Sequence, residues 1–198
     1  MKNNRSFLVA VILLVLVSAL YRAWDGRPYG FAPQIAMALF GGAMIRNKKL
    51  AFILPLASMF ASDLLYQVLY INGLSEIKGF YGGQWINYLL FAGLTVFGFA
   101  MRRVNVKNVA SFSISGSLLF FIVSNFTVWL GGGGYHHPKT LECLMLTYND
   151  GLLFYRDYVV FQGFYGNLFL GDLFFCTVLF GAFALVQKFW AAPKHELA

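Results

Sequence analysis

Long apolar runs dominate the pattern of hydrophobic and polar positions along the chain. Six runs of roughly 15 to 24 residues are separated by polar or glycine-rich segments. A helix needs about 20 apolar residues to cross a hydrocarbon layer about 30 Å thick. The pattern therefore predicts an all-α integral membrane protein, a six-transmembrane-helix bundle forming a single domain over 1–198. The expected spans are 7–23, 31–45, 50–71, 85–101, 109–130 and 163–186.

The second run is the shortest, at about 15 residues over 31–45. It contains Pro33, and proline suits the first turn of a helix. This span is the one least able to cross the membrane fully.

The composition supports a membrane location and narrows the classes of function. The chain has 59% hydrophobic and 12% charged residues, about half the charge of an average soluble domain. This composition argues against a disordered segment, a soluble nucleic-acid binder and most cytosolic enzymes. The lipid bilayer is the expected surrounding.

The basic residues predict the orientation of the chain. With the N-terminus inside, ten basic residues fall on the cytoplasmic side and five on the other. Because short cytoplasmic loops are enriched in Lys and Arg, we expect both termini in the cytoplasm of a multi-pass protein of the bacterial inner membrane. The net charge of +7 then reflects topology, so no nucleic-acid partner is expected. The five outer basic residues are Arg22, Arg27, Lys78, Lys139 and Arg156.

Two long segments on the outer side, 72–84 and 131–162, are aromatic and rich in glycine. Long loops in compact proteins are often lids or binding loops. The stretch 141–161 is apolar enough for a helix on the outer surface, but four charged residues argue against a seventh crossing. His136 and His137 lie in the second segment as candidate gate residues; a metal site there is the less favoured interpretation, because adjacent loop histidines are usually only polar.

Polar side chains in four spans are predicted to share one depth. At about 1.5 Å per residue, Asp63, Asp172, Asn125 and Arg22 all lie roughly 20–24 Å from the cytoplasmic ends of their spans. Charged residues within spans are costly and are usually paired or functional. Two interpretations remain open: Arg22 neutralises an acid while asparagines bridge helices, or the group forms the floor of an outward-facing pocket. Asn167 and Tyr165 lie about one turn further out and join the candidate ligand-binding residues.

Sequence signatures of catalysis are missing. The chain contains no Gly-x-Ser-x-Gly, no His-Glu-x-x-His and no phosphate-binding loop with Lys-Ser/Thr. We therefore expect neither an enzyme nor a resident cofactor or metal. Cys143 and Cys176 lack the spacing of a metal site.

Several stretches resemble a family of uncharacterised bacterial transport proteins. They run in order through most of the chain, and their six-span pattern is similar to the substrate-binding (S) component of energy-coupling-factor (ECF) vitamin transporters. The stretches are FAPQIAMALFGGA (31–43), NKKLAFILPL (47–56), SDLL (62–65), SNFTVWL (124–130) and GDLFF (171–175).

The resemblance adds Trp129 to the candidate ligand-binding residues; the residues that it covers are Arg22, Pro33, Asp63, Asn125, Trp129 and Asp172. It also implies an ECF energising module as a partner. Such components typically dock through an Ala-x-x-x-Ala face on the first helix. Here that spacing occurs only at Ala19 and Ala23, at the outer end, so solitary action stays open.

These features together predict capture of a small, vitamin-like nutrient from the outer side for uptake. The alternative is an accessory subunit of a cell-envelope membrane complex, with no ligand, whose Ala and Gly faces contact partner helices.

Overall fold

The computed structural model describes residues 4–28, 30–131, 138–154 and 166–190. All regular secondary structure in these ranges is helical, which confirms the all-α prediction. The helices are α1 (Asn4–Ala23), α2 (Gln34–Met44), α3 (Lys48–Ile71), α4 (Trp85–Phe99), α5 (Val106–Gly131), α6 (Leu141–Phe154) and α7 (Asn167–Trp190).

A helix lies in each of the six apolar runs, and α6 lies within the long segment 131–162. Within the described ranges, α3, α5 and α7 are long and apolar enough to cross a membrane, which supports a membrane protein. Shorter apolar helical stretches, of 10–17 residues each, form α2, α4 and the part of α1 over Val9–Ala23. Six crossings and cytoplasmic termini stay predictions.

The shortest helix, α2, lies at the centre of the bundle. It packs against α3, α4, α5 and α7, and eight of its 11 residues are buried. Ile35 and Leu39 belong to the main hydrophobic core together with side chains from the four surrounding helices. A helix that is apolar on all sides is typical of such a buried position. The surrounding core residues are Met59, Phe91, Leu94, Phe121, Leu168, Cys176 and Phe180.

Glycines allow α2 and α4 to approach at backbone distance. A Cβ atom on Gly98 would lie 2.8 Å from the Leu39 carbonyl oxygen, and one on Gly42 would overlap the Thr95 carbonyl oxygen. On the other side of α2, a Cβ on Gly41 would lie 2.7 Å from the Ala51 carbonyl oxygen. Small residues at such contacts are a common means of packing helices in membranes, where burial from water contributes little to association.

The first helix is attached to the bundle mainly through α3. Its opposite side is apolar and exposed, with side chains such as Ile12, Leu16 and Leu20 about half accessible. A face of this kind on a soluble monomer would be unusually large, whereas lipid covers it in a membrane protein.

Helix α6 packs against α5. The Tyr148 hydroxyl donates to the Ile122 carbonyl oxygen at 3.1 Å, and the Tyr148 ring lies 6.0 Å from that of Phe121. A helix thus forms over Leu141–Phe154, inside the stretch 141–161 that is apolar enough for a surface helix. Its position relative to the membrane surface stays a prediction.

We expect Gly98→Ala to destabilise the protein by about 1–3 kcal/mol, because the added methyl overpacks the α2–α4 contact. Gly93→Ala is the matched control on the same helix: no atom lies within 4 Å of its Cβ position, so better helix propensity should leave stability equal or slightly higher. Unfolding in mixed SDS micelles measures both. Equal effects of the two substitutions would contradict the close contact.

Candidate functional site

The carboxylate of Asp63 on α3 accepts hydrogen bonds from three side chains. Arg22 of α1 donates to Oδ1 at 2.6 Å, Tyr88 of α4 donates to Oδ2 at 2.6 Å, and the Gln84 amide also donates to Oδ2. Asp63 is 2% exposed, so its charge is carried inside the bundle. A buried carboxylate is tolerable only when it is paired and hydrogen-bonded, and here both conditions are met.

The same network attaches the segment 72–84 to the bundle. Gln84 also donates to the Gly79 carbonyl oxygen at 2.8 Å, and the Phe80 amide donates to Gln67 Oε1 on α3 at 3.2 Å. Gly79 lies so close to the α3 backbone that a Cβ atom there would overlap the Asp63 carbonyl oxygen. Asp63 therefore joins α1, α3, α4 and the segment between α3 and α4.

The C-terminal end of α1 is fastened by a second set of contacts. The Arg22 carbonyl oxygen accepts from Arg27 Nε at 2.7 Å and from the Tyr66 hydroxyl at 2.6 Å. The last carbonyl groups of a helix lack partners within the helix, so these side chains satisfy one of them. The Arg22 guanidinium also lies 5.5 Å from the centre of the Tyr66 ring.

A cavity of about 300 Å³ lies at this end of the bundle. It contacts both acids, three cations, the Gln34 amide and a largely apolar wall. Its volume is at the small end of ligand-binding pockets. The charged lining residues are Arg22, Arg27, Asp63, Lys78 and Asp172, and the apolar wall includes Ile35, Met59, Phe91, Phe120 and Leu168.

Asp172 lines the cavity in a different environment from Asp63. It is 1% exposed, and its one hydrogen-bond partner among the described residues is Ser117, whose hydroxyl lies 2.6 Å from Oδ2. That hydroxyl also lies 2.9 Å from the Ser113 carbonyl oxygen, and its single proton can serve only one of the two acceptors. No cation in the described ranges pairs with Asp172. Asp172 therefore keeps unused capacity for a polar ligand.

Gln34, the first residue of α2, contributes a second group of this kind. Its side chain is 2% exposed, lines the cavity, and has no partner for either amide atom within the described part of the chain. Asn167, next to the lining residue Leu168, likewise has an unpartnered buried Nδ2. Buried polar groups are nearly always hydrogen-bonded, so unpartnered ones that line a cavity indicate space for water or a ligand.

The loop side of the cavity also carries a neutral hydroxyl. Tyr81 lines it, and the Asn87 amide donates to the Tyr81 hydroxyl oxygen at 2.8 Å. Partial burial raises the pKa of Tyr81 above its usual value of 10.0, so the hydroxyl stays protonated at physiological pH.

The structure brings Arg22, Asp63 and Asp172 to one cavity. Asn125 does not line it: its amide donates to the Phe121 carbonyl oxygen at 2.8 Å, and its side chain contacts Gly151 of α6. The half-buried Trp129 is also elsewhere, donating from Nε1 to the Pro138 carbonyl oxygen at 3.2 Å.

Three candidate residues, Tyr165, His136 and His137, lie outside the described residues. Within the described ranges, no three His, Cys, Asp or Glu side chains lie close enough to hold a metal ion. The described lining presents charged and hydrogen-bonding groups to the cavity.

Several residues of the site were not among the sequence candidates. One of them, Gln34, lines the cavity with its amide. The others form hydrogen bonds with the two acids: Gln84 and Tyr88 with Asp63, and Ser117 with Asp172. Gln34 carried a usable signal, because it is the only amide side chain in the apolar run 31–45. No sequence signal singled out Tyr88 or Ser117, because hydroxyl side chains are common in membrane helices and often serve helix packing.

We expect Asp63→Asn to destabilise the protein by about 3 kcal/mol, because it leaves the largely buried Arg22 guanidinium without its anion. Arg22→Gln should have a similar cost, and the double variant should recover part of it because no unpaired charge remains. Unfolding in mixed SDS micelles gives the coupling free energy, which should exceed about 1 kcal/mol. Asp25→Asn removes an exposed acid and serves as the control. Strictly additive effects would show that the pair is not coupled.

Comparison with known proteins gives a family but no activity. A family model described as a family of unknown function (DUF6580) matches residues 1–194. Neither the curated proteins nor the solved structures contain one with significant similarity to the chain. Because the match covers nearly the whole sequence, the chain belongs to the DUF6580 family of unknown function.

Proposed function

We propose that this protein is a multi-pass membrane protein that binds a small, vitamin-like nutrient in the cavity and serves its uptake. The observation that carries the proposal is the unused polar capacity of Asp172 and Gln34, both at least 98% buried and both in the cavity wall. A protein with only a structural use for these groups would have paired them with each other or with neighbouring side chains. A ligand that hydrogen-bonds to them accounts for their position.

The distribution of basic residues supports an outward-facing cavity. The cavity lies at the bundle end that carries residues 24–28, 30–33 and 72–84. The opposite end carries the basic turns at 46–49 and 102–107, which the positive-inside tendency assigns to the cytoplasm. In this orientation the cavity opens to the outer side of the bacterial inner membrane.

The resemblance of the sequence pattern to ECF binding components is our reason for proposing uptake as the purpose of binding. Docking to an energising module through the first helix has little support, because Ala19 of the Ala19/Ala23 pair is 1% exposed and α1 packs against α3. We therefore propose that the protein acts without docking through this pair.

The binding proposal is tested by purifying the protein gently from native membranes and identifying released small molecules by mass spectrometry. We expect a specific compound from the wild type, and at least tenfold less from Asp172→Asn, because a hydrogen bond to a charged group is worth about 1.5–3 kcal/mol. Asp25→Asn, an exposed acid outside the cavity lining, should retain the compound. Yields and thermal stability of both variants should match the wild type.

Two results would oppose this proposal. Equal loss of compound and of folded Asp172→Asn protein would indicate that Asp172 is structural. An empty wild-type protein that co-purifies with stoichiometric polypeptides would favour the accessory-subunit alternative.

The orientation is tested by cysteine labelling in intact cells, in a background lacking Cys143 and Cys176. A reagent that does not cross membranes should modify Glu76→Cys, exposed in the segment between α3 and α4, and should not modify the exposed Asn105→Cys before α5. Both positions should react after the cells are permeabilised. The reverse pattern would place the cavity on the cytoplasmic side.

A further inference from the structure

The lining of the cavity changes character from its closed end to its mouth. Asp172 and Gln34 are 1% and 2% exposed, whereas Arg27 is half-buried and Lys78 is exposed on the segment 72–84. All four line the same cavity. A carboxyl group and an unpartnered amide thus lie at the deep end, and cations lie near the entrance.

The deep end suits a positively charged or strongly donating group. The Asp172 carboxyl has one neutral hydrogen-bond partner and no cation among the described residues, and Gln34 Oε1 is an unused acceptor beside the same cavity. A buried carboxyl group with no cation beside it is costly to ionise, and a ligand ammonium or similar N–H group would supply the partner that its charged form lacks. An anion at this end would add to the cost.

The mouth suits a negative group. Arg22 is occupied by Asp63, but within the described ranges neither Arg27 nor Lys78 has a carboxylate partner. Arg27 contacts the Arg22 carbonyl oxygen and the Tyr66 hydroxyl, and the Lys78 ammonium lies 5.6 Å from the centre of the Tyr70 ring. Both cations remain available to a carboxylate or another anionic group at the entrance.

The wall between the two ends is apolar and aromatic. The rings of Phe91 and Phe120 stack with their centres 5.4 Å apart, and Ile35, Met59 and Leu168 complete this part of the lining. An apolar or ring-shaped ligand body fits this wall, and the volume of about 300 Å³ limits it to a compact molecule.

We propose that the ligand is a compact zwitterion, with a cationic N–H group at Asp172 and Gln34, an apolar body against Phe91 and Phe120, and an anionic group at Lys78 and Arg27. This inference rests on the proposed binding function and specifies the chemistry of the same site. A zwitterion places a positive group beside Asp172 and a negative group beside Arg27 and Lys78, and it adds no net charge to the bundle.

The test uses the full-length protein in lipid nanodiscs and a library of small metabolites divided into zwitterions, cations, anions and uncharged compounds. Binding is measured by native mass spectrometry. We expect the tightest binders to be zwitterions. The methyl ester and the N-acetyl derivative of each binder, which remove one charge apiece, should each bind at least tenfold more weakly. Tight binding of uncharged compounds, or of ions of one sign only, would overturn the inference while leaving the binding function intact. The absence of any binder would overturn both.

Two variants test which end of the cavity binds the cationic group of the ligand and which end binds the anionic group. Asp172→Asn should weaken the parent zwitterion and its ester by roughly tenfold to a hundredfold, while leaving the N-acetyl derivative nearly unchanged. Lys78→Gln should weaken the parent and the N-acetyl derivative by several-fold, and leave the ester unchanged.

Lys139→Gln is the matched control for Lys78→Gln. Both lysines are exposed and lie about 5.5 Å from the centre of an aromatic ring, but Lys139 does not line the cavity. Its replacement should leave the affinity for every derivative unchanged. Because Lys78 is exposed, its substitution tests the assignment even if Asp172→Asn reduces folding. Equal effects of the Lys78 and Lys139 substitutions would contradict an anion site at the mouth.

Discussion

The length of the central helix determines where this protein has room for a ligand. Helix α2 has 11 residues and rises roughly 16 Å, about half of the thickness of a bilayer core. The helices around it are longer, and residues from α3, α4, α5 and α7 line a cavity together with Gln34 at its N-terminal end. Beyond Gln34, at the N-terminal end of α2, the bundle is lined by side chains of the surrounding helices and by the segments before α2 and between α3 and α4. The cavity lies there, with Gly30, Ala32 and Gln34 in its wall.

Backbone contact holds this short helix in place. Gly41, Gly42 and Gly98 bring α2 against its neighbours at distances that exclude even a methyl group. Such contacts bury α2 without bulky side chains between it and α4. Large side chains of the core come from α4, α5 and α7, among them Phe91, Phe121, Leu168 and Phe180.

The two buried acids illustrate how the same residue type takes different roles in one cavity. Asp63 is surrounded by donors from three parts of the chain and is neutralised by Arg22, so it stabilises the covering segment 72–84. Among the described residues, the one hydrogen-bond partner of Asp172 is Ser117. In a medium of low polarity the first arrangement supplies both a counter-charge and hydrogen bonds, whereas the second supplies one hydroxyl group. This difference is the reason why we propose a structural role for Asp63 and ligand recognition for Asp172.

The sequence by itself determined the helical architecture and the membrane character, because apolar runs of this length have few other stable states. Counting residues along the spans also placed Arg22, Asp63 and Asp172 at a similar depth, since helical rise is constant, and the three do line one cavity. Depth carries no information about the direction in which a side chain points. Asn125, at the same expected depth, faces α6, and Trp129 contacts the chain after α5. Only the tertiary structure decided which acid Arg22 neutralises and that Gln34 has no partner in the described ranges, because both depend on the rotation of each helix about its axis. That rotation is decided by packing between distant parts of the chain, such as the glycine contacts of α2 and α4.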